Sequence, residues 1–218
     1  INKTLISGQK SEHNTTRIAL NFDGTNDNIT TTTKLTNGDY TKEAWINISN
    51  NTGNIISTPT ALSTSDHAFY VNAGKLSAGH NSVYTTVQDP NTLSLNTWYH
   101  VAATYNASTK TLTLYKNGVQ VAQNIVNNMA NASNPISIGM HNSTNYFAGI
   151  MDEVRVWNTT RTASEIFNNY NEVNEDTYVD YYSLTEEEVN TWLNSQENIL
   201  DLQTKLDNII NEKINPII

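Results

Sequence analysis

Tyr70, His80, Tyr84, His141 and Tyr146 are the side chains of this sequence best suited to meeting a ligand, and the amides of Asn81, Asn142 and Asn145 adjoin three of them in the chain. An aromatic face open to water can stack on a sugar ring while neighbouring amides bond its hydroxyls. Tyr70 falls on the outward side of a predicted strand, and the other four fall in predicted loops. Each serves ordinary sheet or loop packing equally well, so residue type alone does not separate the two uses.

Catalytic patterns are missing from the sequence. His13, His67, His80, His100 and His141 are scattered, with none of the i, i+4 spacing that prebuilds a metal site on a helix. There is no His-Glu-x-x-His, no Gly-x-Ser-x-Gly elbow and no phosphate-binding glycine loop. Without cysteine, neither disulfides nor thiolate metal sites arise. These absences argue against an enzyme. A net charge of -9, from 12 Lys and Arg against 21 Asp and Glu, excludes nucleic acid as a partner, because phosphate binding depends on basic groups displacing counterions. The longest apolar runs fall far short of the ~20 residues that cross a bilayer, so no membrane insertion is expected. The chain opens at Ile1 with no basic-then-apolar leader, which reads as a mature protein or an excised piece.

The elements that must position these residues follow from hydrophobic period. Of 218 residues, 37% are hydrophobic and 15% charged, and Asn, Thr and Ser are abundant, a composition of short strands joined by polar turns. Alternation of period two dominates to about Leu184, and a helical pattern follows. The clearest hairpin is Thr111 to Lys116, then Asn117-Gly118, then Val119 to Ala122, since Asn-Gly supplies the two positive φ angles of a type I′ turn. Other strands are predicted over 17–22, 41–48, 68–73, 98–105, 136–140 and 149–157. Asn37-Gly38-Asp39, Gly53, Gly74, Asp89-Pro90-Asn91 and Ser108-Thr109-Lys110 read as turns. Without crossover helices a parallel α/β sheet is excluded, leaving an antiparallel sandwich. Alternation turns Ala44, Ile46 and Ile48, Phe69 and Val71, Val101 and Ala103, and Leu112 and Leu114 inward. It turns Glu43, Trp45, Asn47, Tyr70, His100, Thr104 and Tyr115 outward.

Thr162-Ala-Ser-Glu165 has capping-box spacing and predicts a short helix to about Tyr170, with Ile166 and Phe167 available to pack on the sandwich. A second capping box, Thr185 to Glu188, begins a longer helix. There Trp192, Ile199 and Leu206 recur at seven, and Leu202 and Ile209 follow Ile199 and Leu206 at a-to-d spacing, although Ser195 interrupts the stripe. Such an apolar helix implies a covering surface: a homo-oligomer or a parent assembly.

Leu20 to Asp27, Tyr40 to Asn47, Trp98 to Tyr105, Leu112 to Gly118 and Gly149 to Asn158 occur in an order that resembles the laminin-G-like, concanavalin A-like lectin family of bacterial and phage surface proteins. The resemblance covers roughly residues 18–170. It implies an all-β, antiparallel two-sheet jelly-roll sandwich over 1–184, here with a C-terminal α-helical extension over 185–218. It also implies that Trp45, Trp98, His100 and Trp157 are scaffold, and that Tyr178 to Leu184 supplies a final edge strand. Members often hold one structural calcium at the rim. The matching carboxylates are Asp23, Asp27 and Asp152, with Glu153 beside the last, and their alternative use is in Asx turns and surface ion pairs. The glucanase string Glu-x-Asp-x-x-Glu of related enzymes is absent. The functional expectation is non-enzymatic carbohydrate or cell-surface recognition, as an adhesin or fibre/receptor-binding module located extracellularly, on a cell surface or on a virion. The alternative is a structural or assembly module working through its C-terminal helix.

Overall fold

Strand alternation is realised in a computed structural model that describes residues 3–6, 17–35, 38–60, 66–81, 83–126 and 135–174. All lie in the first of the chain's two compact units, Ile1–Asn174. The expected strand over 178–184 and the helix from Thr185 lie outside the described residues.

One layer is a seven-stranded sheet ordered β1-β2-β14-β4-β10-β11-β12. Its members are β1 (Lys3–Ile6), β2 (Arg17–Asp23), β4 (Tyr40–Ile48), β10 (Trp98–Asn106), β11 (Thr111–Lys116), β12 (Val119–Ile125) and β14 (Ala148–Trp157). The second layer comes in two pieces. β3 (Ile29–Lys34), β13 (Pro135–Ile138) and β6 (Ile56–Ser57) form one, and β5 (Gly53–Asn54), β7 (His67–Asn72), β8 (Lys75–His80) and β9 (Val83–Thr92) form the other. The stretch 53–57 serves both pieces, and Ile55 N–H donates to Phe69 C=O between them. All pairings are antiparallel.

Ile46, Ile48, Phe69, Val71, Val101, Leu112 and Leu114 fill the space between the layers, as alternation requires. The predicted hairpin forms with Asn117 at φ 50 and Gly118 at φ 75, and Lys116 pairs with Val119. β8, β9 and β3 have no counterpart among the predicted strands. Asp89-Pro90-Asn91 lies inside β9 and is not a turn. β9 is an edge strand, where the missing N–H of Pro90 costs no ladder bond. The slot beside β2 is taken by β1, which precedes it in the chain.

Helix α1 (Ala163–Asn174) lies on the outer face of the seven-stranded sheet. Its capping box closes reciprocally: Glu165 N–H donates to Thr162 Oγ1 at 3.2 Å, and Thr162 N–H donates to Glu165 Oε2 at 2.7 Å. Ile166 is buried against Ala102 and Tyr115 as expected. Phe167, expected to pack likewise, stays 46% exposed.

Candidate functional site

On the outer face of the four-stranded piece, strand register builds a transverse row. Asn54 pairs with Tyr70, Tyr70 with Ser77, and Ser77 with Gln88. Directly opposed residues share a face, so four polar or aromatic groups line up across β5, β7, β8 and β9. The Tyr70 hydroxyl bonds Thr85 Oγ1 at 2.6 Å, and burial raises its pKa. Gln88 Nε2 donates to Ser77 Oγ at 3.0 Å. Asn54 Nδ2 donates to the carbonyl of Asn145 at 3.2 Å, while its own Oδ1 accepts from Ser57 Oγ at 2.7 Å. Tyr70 and Gln88, both half-buried, therefore stand over a floor of buried Ser77 and Asn54.

One end of the sandwich gathers most of the other predicted ligand residues, in a different manner from that expected. Tyr84 donates its hydroxyl to buried Asp66 at 2.6 Å and meets the His141 ring edge-on at 5.1 Å between centroids. His141 Nδ1 bonds the carbonyl of Thr58 at 2.9 Å. Asn81, Asn142, Ser143 and Asn145 all have positive φ, a costly conformation that holds these turns in one shape. Asn142 and Asn145 are exposed, and Tyr146 is half-buried.

His80 and His141 are not the exposed loop residues the sequence suggested. His80 ends β8, is 1% exposed, and bonds the Tyr40 hydroxyl between the layers. His141 is 6% exposed. The turn-like look of Gly79-His80-Asn81 has another cause: a Cβ at Gly79 would lie 2.0 Å from Val83 O, so glycine there permits a close strand approach.

Beneath this end lies a polar interior. Lys42 is fully buried; its Nζ donates to Ile56 C=O at 3.0 Å and shares a 2.5 Å hydrogen bond with His67 Nδ1. Burial holds the Lys42 pKa well below the usual lysine range. Burial, and then the neighbouring Lys42 and His80, hold His67 well below the usual imidazole range. His67 faces His80 across β7 and β8, and the Tyr40 and Tyr105 rings pack against His80 at 5.5 and 4.7 Å. Sequence reading passed over this cluster although alternation reaches it. The parity that sends Ala44 and Phe69 inward carries back to Lys42 and His67.

The opposite face of the seven-stranded sheet carries a buried carboxylate under α1. Glu43 Oε1 accepts from Trp157 Nε1 at 3.1 Å and Asn169 Nδ2 at 2.7 Å, with Arg155 Nη1 at 3.6 Å. A bulge between Asp152 and Arg155, where Glu153 has φ 49, brings Arg155 opposite Glu43. Trp45 stacks on Tyr170 at 5.7 Å, and burial pushes the pKa of adjacent His100 down to about 4. Trp45, His100 and Trp157 thus act as scaffold. Trp98, at 40% exposed, instead stands partly open to solvent.

Asp23, Asp27 and Asp152 do not form one calcium site. Ala148 pairs with Asp23, so Asp152 lies four residues further along β14, roughly 13 Å away at ~3.3 Å per residue. Calcium ligands lie at about 2.3–2.6 Å, and one ion cannot reach both ends. Asp23 Oδ1 accepts from Thr25 N–H at 2.7 Å, and Asp27 Oδ2 from Asp23 N–H at 3.1 Å, which is the work of an Asx-type turn. Among the described residues no cluster of three His, Cys, Asp or Glu has metal-site geometry.

A laminin-G-like family described as the concanavalin A-like lectin/glucanases superfamily matches residues 23–167, more than half of the chain. The chain belongs to this superfamily. No curated protein matches it. Among solved structures, this superfamily member is similar to a putative carbohydrate binding protein from Bacteroides ovatus, with 23% identity and a TM-score of 0.55. That match covers 68% of this chain and 45% of the other, less than half its length. A heptameric SAP-like pentraxin from Limulus polyphemus matches with 19% identity and a TM-score of 0.54, over 67% of this chain and 78% of that one. The CBM40 of a Ruminococcus gnavus IT-sialidase, solved bound to α2,3-sialyllactose, matches with 13% identity and a TM-score of 0.55, over 70% and 97%. At these identities the likeness is one of fold.

Proposed function

We propose that this lectin-superfamily chain is a non-enzymatic glycan-recognition module whose binding face is the outer face of the four-stranded piece. It would act extracellularly, on a cell surface or on a virion, as an adhesin or fibre/receptor-binding domain. The observation that carries this reading is the row Asn54-Tyr70-Ser77-Gln88, where one ring is fixed through its hydroxyl among hydroxyl and amide groups. A sugar offers an apolar ring face and a rim of hydroxyls, and such a row answers both. Tyr84, anchored on Asp66, extends the aromatic surface towards the exposed amides of Asn142 and Asn145. Two of the fold neighbours, the putative carbohydrate binding protein and the CBM40 bound to α2,3-sialyllactose, carry a name or a ligand that points to carbohydrate, which supports the same reading. The missing Glu-x-Asp-x-x-Glu string supports recognition without hydrolysis.

A glycan array tests it. Wild type should bind a restricted set of glycans, and Tyr70→Ala should weaken that binding by about tenfold or more, the worth of one ring contact. Tyr70→Phe, which keeps the ring, should retain most of it. Silence across the array would remove recognition and favour the assembly role instead.

A further inference from the structure

The interior between β4, β7 and β8 contains groups that a lectin scaffold does not need for sugar binding. Lys42 and Tyr40 project from β4, His67 from β7, His80 from β8 and Tyr105 from β10. Asp66, Tyr84 and His141 close the end above them. Lys42 Nζ meets Ile56 C=O at 3.0 Å and His67 Nδ1 at 2.5 Å and lies over the Tyr40 ring at 5.3 Å, and His67 Nε2 is buried without a hydrogen-bond partner. Asp66, which precedes His67 in the chain, has its Oδ2 engaged by Tyr84. A proton added to the Lys42–His67 pair would therefore create a buried positive charge facing His80 and His141, both able to become positive themselves.

We propose that the Lys42–His67 pair is an acid-sensitive latch that releases the loop end of the sandwich carrying Asp66, Asn81, Tyr84 and His141. His67 and His80 are cross-strand partners, and each is followed or preceded in the chain by a rim residue: Asp66 before His67, Asn81 after His80. Asn81 N–H donates to Asp66 C=O at 3.0 Å, so moving either histidine strains the bond that joins the two strand ends. Lys42 and His67 have pKa values lowered in the fold, so the unfolded or opened end binds more protons. The latch is closed above the ordinary imidazole pKa of about 6.5 and loses stability as pH falls below it, while Lys42 contributes the same sign of slope across the whole neutral range. His141, also lowered by burial, adds to the same side. β11 and β12, the last two strands of the seven-stranded sheet, supply none of these groups.

Hydrogen exchange on the full chain tests the latch without any glycan. At about pH 5.5 against about pH 8, after correction for the intrinsic pH dependence of exchange, amides of His80 and Asn81 and over 83–87 should open roughly tenfold more in wild type while those of β11 stay unchanged. In Lys42→Met/His67→Leu, which fills the same space with apolar groups, the difference should vanish; His67→Gln, closer in polarity, provides the check should the double variant not fold. Equal exchange at both pH values in wild type would overturn the latch. So would a rise that persists in the variants, or one shared by β11. Loss of glycan binding in Tyr70→Ala bears on the other reading alone.

Discussion

Replacing Glu43 tests what holds α1 to the sheet. Its Oε1 accepts hydrogen bonds from Trp157 on β14 and from Asn169 on α1, so one carboxylate oxygen joins the helix to the sheet. Glu43→Ala leaves these two donors without their acceptor, at about 1–3 kcal/mol each, and opens a void. Relief from burying a carboxylate offsets part of that, since the ion pair with Arg155 is long at 3.6 Å. A net loss of about 3 kcal/mol is expected, or ~6–12 °C in melting temperature for a domain of this size. Glu43→Gln keeps an acceptor for both donors and changes only Oε2, which makes no hydrogen bond; its loss should stay within ~1 kcal/mol. Urea unfolding followed by tryptophan fluorescence measures both. If Gln proved as costly as Ala, the acceptor geometry would not be what stabilises the helix, and the reasoning fails.

Two further outcomes follow from local geometry. Gly118→Ala places a Cβ at φ 75 and 2.9 Å from the Phe167 ring, so it should cost about 1–2 kcal/mol in thermal unfolding; a neutral result would mean the hairpin does not need its left-handed turn. Because Asp23 and Asp27 are engaged in their own turn and Asp152 lies far along β14, adding calcium to chelated protein should leave the melting temperature unchanged. A tight site, filled at a hundred times its Kd, would add about 2.7 kcal/mol, so a rise of several degrees would reveal calcium ligands beyond the three carboxylates considered.

How far the sequence led can be seen strand by strand. β11 is legible because Leu112 and Leu114 alternate with threonines and Asn117-Gly118 fixes a register, and β4 and β10 because apolar residues recur at every second position over Ala44, Ile46 and Ile48 and over Val101 and Ala103. β8 and β9 are not, since Lys-Leu-Ser-Ala-Gly-His carries too few large apolar groups and Pro90 mimics a turn. Site residues divide the same way. Tyr70 lies where alternation puts it, whereas His80 is masked by its neighbours: Gly79 looks like a turn residue but serves a close strand approach, and Asn81 is the turn that follows. The Lys42–His67 pair was within reach of parity, yet a lysine in a core position contradicts the ordinary expectation that charged side chains face water. The Glu43 network needs the bulge at Glu153, which no local pattern announces.

The position of β4 carries a consequence for how the chain is made. β4 lies between β14 and β10, and Ile48 pairs with Gly149, so the whole stretch 49–148 must be synthesised before the middle of the seven-stranded sheet can close. Hairpins such as β7–β8 and β10–β11–β12 can form as they emerge, because their partners are adjacent in the chain. β4 cannot. Until β14 arrives, one edge of β4 stands open to other nascent chains, which makes the last of the described strands the one that ends this edge's period of vulnerability to aggregation.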